Sequence, residues 1–112
     1  MLPKSQRLNL KKDFKWVAAG KALETKYLKL FIKTGDNDKP RIGIALSGKN
    51  FKKAVNRNRA RRLVSTAFQA LYSSLPNSIN IVALPKSGIV SVKSGDLLFE
   101  LKAILKNEKI IN

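Results

Sequence analysis

Between Phe51 and Tyr72 the chain contains neither Gly nor Pro, which permits about six turns of helix in a sequence of 112 residues. The C-terminal half of this stretch carries an apolar stripe: Ala60, Leu63, Val64, Ala67, Phe68 and Leu71. The stretch Lys49 to Arg62 holds Lys49, Lys52, Lys53, Arg57, Arg59, Arg61 and Arg62, and no acid. With Lys53 set to about 0° and about 100° per residue, the stripe centres near 0°, Arg57 and Arg61 fall on its flank at ~40° and ~80°, Lys52 and Arg59 lie near ~250°, and Arg62 points away at ~180°. One end of the helix therefore belongs to a core, and the other is wrapped in cations.

Elements arranged around such a helix can be read from period and punctuation. Asn9 is placed to cap a short helix with Phe14, Val17 and Ala18 on one face and Gly20 as its stop. Tyr27 to Lys33 and Arg41 to Ser47 read as strands. The loop between them, Gly35-Asp36-Asn37-Asp38-Lys39-Pro40, predicts an antiparallel hairpin. Ile79 to Leu84 reads as a buried strand ended by Pro85. Ser94 is a candidate cap for a last helix that has Asp96 in its first turn and buries Leu97, Leu98, Leu101, Ile104 and Leu105. The expected order is α-β-β-α-β-α, an α/β (α+β) sandwich formed by a small sheet with helices, and a single domain over 1–112. A chain of this length buries about two-thirds of its unfolded surface.

Charge narrows the function. The chain carries 23 basic and 7 acidic side chains, a net +16. Residues 1–62 hold 18 basic and 4 acidic (+14), and residues 63–112 hold 5 and 3 (+2). A field of that size calls for a polyanion. A solvated helix normally mixes signs, because like charges at i,i+4 repel by a few tenths of a kcal/mol each. The missing anions are therefore expected on a ligand. Arg, with its planar fork, suits phosphate.

A membrane surface fits less well, since the bulky apolar residues of the helix are needed for the core. Duplex DNA fits less well than RNA, since neither a helix-turn-helix partner nor zipper heptads accompany the helix. Phe14 and Trp16 stand two apart on the first helix, so if Phe14 packs with Val17, Trp16 turns outward as a stacking surface for single-stranded RNA.

Absences exclude catalytic classes. The chain contains no Cys and no His, so thiolate nucleophiles, Cys zinc sites and the usual neutral-pH base are missing. Asp13, Glu24, Asp36, Asp38, Asp96, Glu100 and Glu108 are scattered, and only Asp36 and Asp38 lie close together, in a loop. The N-terminal residues Met1 to Lys4 lack the apolar core of a signal peptide, so a cytoplasmic location is expected.

The run Lys53-Ala54-Val55-Asn56-Arg57-Asn58-Arg59-Ala60-Arg61-Arg62-Leu63 closely resembles the Arg-Asn-Arg signature of the protein subunit of bacterial ribonuclease P. The likeness extends to Pro3 with Arg7-Leu8, Phe14-Lys15-Trp16-Val17, Arg41-Ile42-Gly43, Ser47-Gly48-Lys49 and Ile81-Val82. It implies a fold of the ribosomal protein S5 domain 2 type, with a left-handed βαβ crossover through the long helix. It also implies a subunit of an endoribonuclease whose RNA, with Mg2+, removes the 5′ leader of precursor tRNA, while the protein alone binds no cofactor or metal and catalyses nothing.

By position, the resemblance assigns Lys49, Lys52, Lys53, Arg57, Asn58, Arg59, Arg61 and Arg62 to the RNA subunit. It assigns Phe14, Trp16, Val17, Tyr27, Leu28 and Leu30 to a cleft for the leader. This sequence departs from the family at Gly48, where a second Lys is usual, at Ala18, where an aromatic is common, and at Pro85, after the last strand. A ribosomal or other structural RNA-binding protein would share the charge but need no cleft. A free-standing metal nuclease would need clustered carboxylates.

Overall fold

The computed structural model describes residues 2–111. Its elements are α1 (Leu10–Ala18), β1 (Lys21–Glu24), β2 (Leu28–Thr34), β3 (Arg41–Ile44), α2 (Ala54–Leu71), β4 (Ile79–Pro85) and α3 (Ser94–Asn107). The strands form one mixed sheet in the order β1-β2-β4-β3, antiparallel except for the parallel β3–β4 pair. Helix α1 lies on one face of the sheet, and α2 and α3 pack on the other. Among the described residues, no helix is long and apolar enough to cross a membrane.

The expected hairpin does not form. β4 lies between β2 and β3, and β3 runs parallel to it, joined through α2. The reason lies in burial: β4 is the most apolar strand, buried along nearly its whole length, and the middle of the sheet is where such a strand is covered on both faces. The 35–40 loop instead reaches across the start of β4. There the Asn37 side-chain amide donates to Lys39 O (2.6 Å) and Ile79 O (3.3 Å), and the buried Asn80 donates to Asn37 Oδ1 (2.9 Å). The outer edge of β3 is shielded by the N-terminal segment, through a bridge between Arg7 and Ile42 and a Leu8 N–H to Ile42 O bond of 3.1 Å. β1, a fourth strand with only Leu23 buried, was not expected from the pattern.

Helix ends follow local chemistry. Asn9 caps α1, its side chain accepting from the Lys12 N–H, as expected. α2 starts at Ala54 rather than Phe51, because the Phe51 ring is drawn into the core. Ser94 is the first residue of α3 and not its cap, a position held by Lys93. The main core joins Leu23, Leu28, Leu30, Ile32, Ile42, Ile81 and Ala83 of the sheet to the α2 stripe and to Leu97, Leu101 and Leu105 of α3. The α2 stripe is buried throughout, from Ala60 to Leu71, as its period requires. A second, smaller cluster under α1 is made by Leu8, Val17 and Val82, with Leu10, Phe14, Phe31, Ala45 and Leu84 packed around it.

Candidate nucleic-acid interface

The segment leading into α2 and the first half of the helix leave their cations without acidic partners among the described residues. Lys49, Lys52, Lys53, Asn58, Arg59 and Arg62 are exposed, and Arg57 and Arg61 are half-buried on the flank of the apolar stripe. The two ion pairs among the described residues, Lys21–Glu108 and Lys86–Glu24, involve no residue of α2. The first turn of α2 has no acid, and Lys53 at its cap offers no side-chain acceptor, so its amide dipoles add to the positive field.

Two arginines are oriented by backbone carbonyls. Arg57 Nη1 donates to Phe51 O (2.9 Å), and Arg59 Nε donates to Val90 O in the 3-10 turn Ser87–Ser91 (2.7 Å). Each keeps further N–H groups for a ligand. Val55, 69% exposed, stands in the first turn among these cations as an uncovered apolar side chain.

On the opposite face, α1 and the sheet form a groove. Strand register aligns Ala22, Phe31, Val82 and Gly43 in one row beneath α1, and Glu24, Lys29, Leu84 and Ala45 in the next row, towards the open end. Helix α1 covers Val82 completely but leaves Phe31, Leu84 and Ala45 only half-buried. Lysines are placed over the aromatic rings. Lys29 Nζ lies 5.3 Å from the centre of Phe31, and Lys33 Nζ lies 4.9 Å from that of Trp16. Trp16 is 40% exposed and packs so closely on Gly35 that a Cβ there would stand 2.7 Å from its ring. Phe14 and Val17 turn inward and Trp16 outward, as their spacing requires.

Three of the expected cleft residues lie elsewhere. Leu28 and Leu30 are fully buried on the core face, beneath α2 and α3, and Tyr27 packs half-buried against the same core. The pleat decides this: Leu28, Leu30 and Ile32 share one face of β2, and Lys29, Phe31 and Lys33 share the other. Phe31, Lys29, Lys33 and Leu84 are the groove residues that the sequence reading missed. The period-2 alternation of β2, with its all-apolar set assigned to the larger helical layer, is the signal that identifies them.

Among the described residues, no three His, Cys, Asp or Glu side chains converge as a metal-ligand set would. Two titratable groups are perturbed, Glu24 at the end of the groove row beside Lys29 and Tyr72 away from both surfaces. The hydrogen bond and charge of Lys86 hold the Glu24 carboxyl below its usual value, and burial raises the Tyr72 phenol, whose hydroxyl donates to Pro40 O (2.7 Å). Neither belongs to a general acid–base pair.

A mixed α+β sheet, a helix end whose cations have no acidic partner among the described residues, and an aromatic groove rimmed by lysine on the other face together give two surfaces with the chemistry that suits a polyanion. The chain belongs to the ribonuclease P protein family. The sequence model of that family, described as "Ribonuclease P", matches residues 2–109. The ribonuclease P protein component of Pseudanabaena sp. is 35% identical across the whole chain and 98% of its own length. That of Pseudoalteromonas atlantica is 38% identical over 70% of this chain, a match spanning 65% of the relative, and the match to its Pseudoalteromonas translucida counterpart spans 54%. The RNase P protein of Thermotoga maritima, solved with 1-(4-fluorophenyl)-2-thiourea, superposes with a TM-score of 0.79 at 28% identity, covering 89% of this chain and 97% of that one. The Staphylococcus aureus RNase P protein shares the fold at a TM-score of 0.82 and 22% identity, covering 97% of this chain and all of its own.

Proposed function

We propose that this chain, acting as one domain over 1–112 in the cytoplasm, is the ribonuclease P protein component that binds the catalytic RNA subunit and the 5′ leader of precursor tRNA. The observation that carries the reading is the pairing of two surfaces. The cationic half of α2 has no acid partner among the described residues, and the α1–sheet groove combines the exposed Trp16 and the half-buried Phe31 with lysine. A purely structural RNA-binding role needs only the first of these.

In this reading Lys49, Lys52, Lys53, Arg57, Asn58, Arg59, Arg61 and Arg62 neutralise phosphates of the RNA subunit. Trp16 and Phe31 stack leader bases, Lys29 and Lys33 hold the adjacent phosphates, and Phe14 and Val17 pack the groove floor. Mg2+ held by the RNA supplies the cleavage chemistry; the protein positions the leader and screens phosphate repulsion.

The reading is tested by the affinity of the reconstituted enzyme for precursor tRNAs of decreasing leader length. Trp16→Ala and Phe31→Ala are expected to weaken binding of long-leader substrates by roughly tenfold, since a base–aromatic stack contributes about 1–3 kcal/mol. Both losses are expected to vanish when no leader remains. Equal impairment without a leader contradicts the assignment.

A further inference from the structure

Strand β4 is apolar along its length except for Asn80, which is 3% exposed. Register places Asn80 between Lys33 and Arg41, one row beyond Phe31, Val82 and Gly43 on the α1 face of the sheet. A buried amide is costly unless its hydrogen bonds are made, and a β-branched apolar residue would suit a central strand better. The bonds that Asn80 makes lead out of the strand. Its Nδ2 donates to Asn37 Oδ1 (2.9 Å), to Lys33 O (3.3 Å) and, at a long 3.4 Å, to Ser78 O. Asn37 carries the connection further, donating to Lys39 O (2.6 Å) and Ile79 O (3.3 Å), and the Gly35 N–H donates to Ser78 O (2.9 Å). Two amide side chains thus fasten the 35–40 loop to the start of β4.

The fastened loop rests against Trp16. A Cβ on Gly35 would stand 2.7 Å from Trp16 Cη2, 2.9 Å from Asn80 Nδ2 and 3.1 Å from Asn37 Oδ1, so the indole edge and both amides meet at the glycine. The φ of Gly35 lies outside the left-handed region, so the close approach of the ring, and not the turn, is what calls for glycine. Lys33, whose carbonyl Asn80 holds, puts its Nζ 4.9 Å from the centre of the same ring. From this geometry we infer that Asn37 and Asn80 are positioning residues for Trp16: they latch the loop as a stop for the indole, which is thereby presented to a leader base in one orientation. A side chain already held loses less freedom when a base stacks on it. The inference rests on the function proposed above and adds to it two residues that act through Trp16.

The test uses Trp16 as its own probe, since the chain contains no other Trp. Time-resolved fluorescence anisotropy of the isolated protein is expected to show the ring tumbling with the whole molecule. Asn37→Ala, at a half-buried loop position, and Gly35→Ala, whose methyl displaces the ring, are each expected to add a fast local component. Asn80→Ala is expected to do the same. Because Asn80→Ala also alters a central strand, the Asn37 variant gives a reading from outside the sheet.

The second arm measures the affinity of the reconstituted enzyme for precursor tRNA with a long leader and with none. Asn37→Ala is expected to weaken long-leader binding by about two- to tenfold, the ordering cost of one side chain, and to change nothing when the leader is absent. In a Trp16→Ala background, Asn37→Ala is expected to cost nothing further, because residues acting through one ring are not additive. A ring as well ordered in all three variants as in the unsubstituted protein overturns the latch, and so does a second loss in the Trp16→Ala background. If Trp16→Ala alone leaves long-leader binding unchanged, the leader assignment of Trp16 fails, and the anisotropy arm, which needs no RNA, still decides the latch.

Discussion

A methyl group at Gly20 has no room: its Cβ would stand 2.4 Å from the carbonyl oxygen of Ile32, a backbone atom that cannot swing aside. Gly20→Ala is therefore expected to destabilise the protein by about 1–3 kcal/mol, the usual range for overpacking, measured as a lower midpoint of urea unfolding with an unchanged slope. Lys109 presents the opposite case. It adopts a left-handed φ of 59° at the end of α3, where its N–H reaches Lys106 O (3.0 Å) and the N–H of Ile110 reaches Leu105 O (2.9 Å). That is a Schellman closure, a position that favours glycine. Lys109→Gly is expected to raise stability by up to about 1 kcal/mol in the same assay, the order of the left-handed penalty it removes.

The arginines of α2 are not equivalent. Arg57→Ala removes both a cation and the partly buried bond to Phe51 O, so it is expected to cost about 1–2 kcal/mol of stability as well as RNA affinity. Arg62→Ala, on the exposed side, is expected to change stability by less than about 0.5 kcal/mol while still flattening the salt dependence of RNA binding. Paired unfolding and binding curves separate the two.

At the scale of elements, the groove depends on the pleat of β2. Leu30→Ala empties a core position and is expected to cost about 2–5 kcal/mol of stability. Phe31→Ala, one residue on and half-exposed, is expected to cost less stability and to act mainly on leader binding. A reversed ranking would place β2 in the wrong register.

The same strand shows how far the sequence could be read. The α2 stripe was legible because many turns of one helix repeat a single signal, and each of its apolar positions is buried. The short helix α1 was legible from Asn9 and Gly20, and the α2 cations from the lack of any acid among them. Which face of β2 meets α1 was not legible, because alternation defines two faces without saying which layer covers each. The β2–β3 hairpin failed for a related reason. A polar loop with Asp and Asn marks a change of direction, but strand neighbours are decided by which strand most needs covering, and that strand, β4, lies some forty residues further along the chain. Leu28 and Leu30 were misplaced by the first ambiguity, and β1 was too short and too exposed to leave a pattern.

For the molecule as a whole, charge is the governing quantity. With no His and no Cys, no side chain of ordinary pKa changes ionisation between about pH 6 and 9. RNA affinity at fixed salt is therefore expected to be flat across that range, and a titration of Kd against pH checks it. Acid acts on other groups. The Glu24 carboxyl, held below its usual value by Lys86, contributes stability above its unfolded pKa and loses it as pH falls through the folded one. That window lies below the pH range of the affinity titration, and the pair is exposed, so its share is small.

The positive field is concentrated where α2 emerges from the core, and the proposed function assigns the chemistry to the RNA bound there. Cleavage of precursor tRNA at low Mg2+ tests that division of labour most directly, with three samples compared: protein alone, RNA subunit alone, and the two together. The expected result is no cleavage by the protein, weak cleavage by the RNA, and efficient release of the 5′ leader when they are combined. Cleavage by the protein alone, or no gain on mixing, would contradict it.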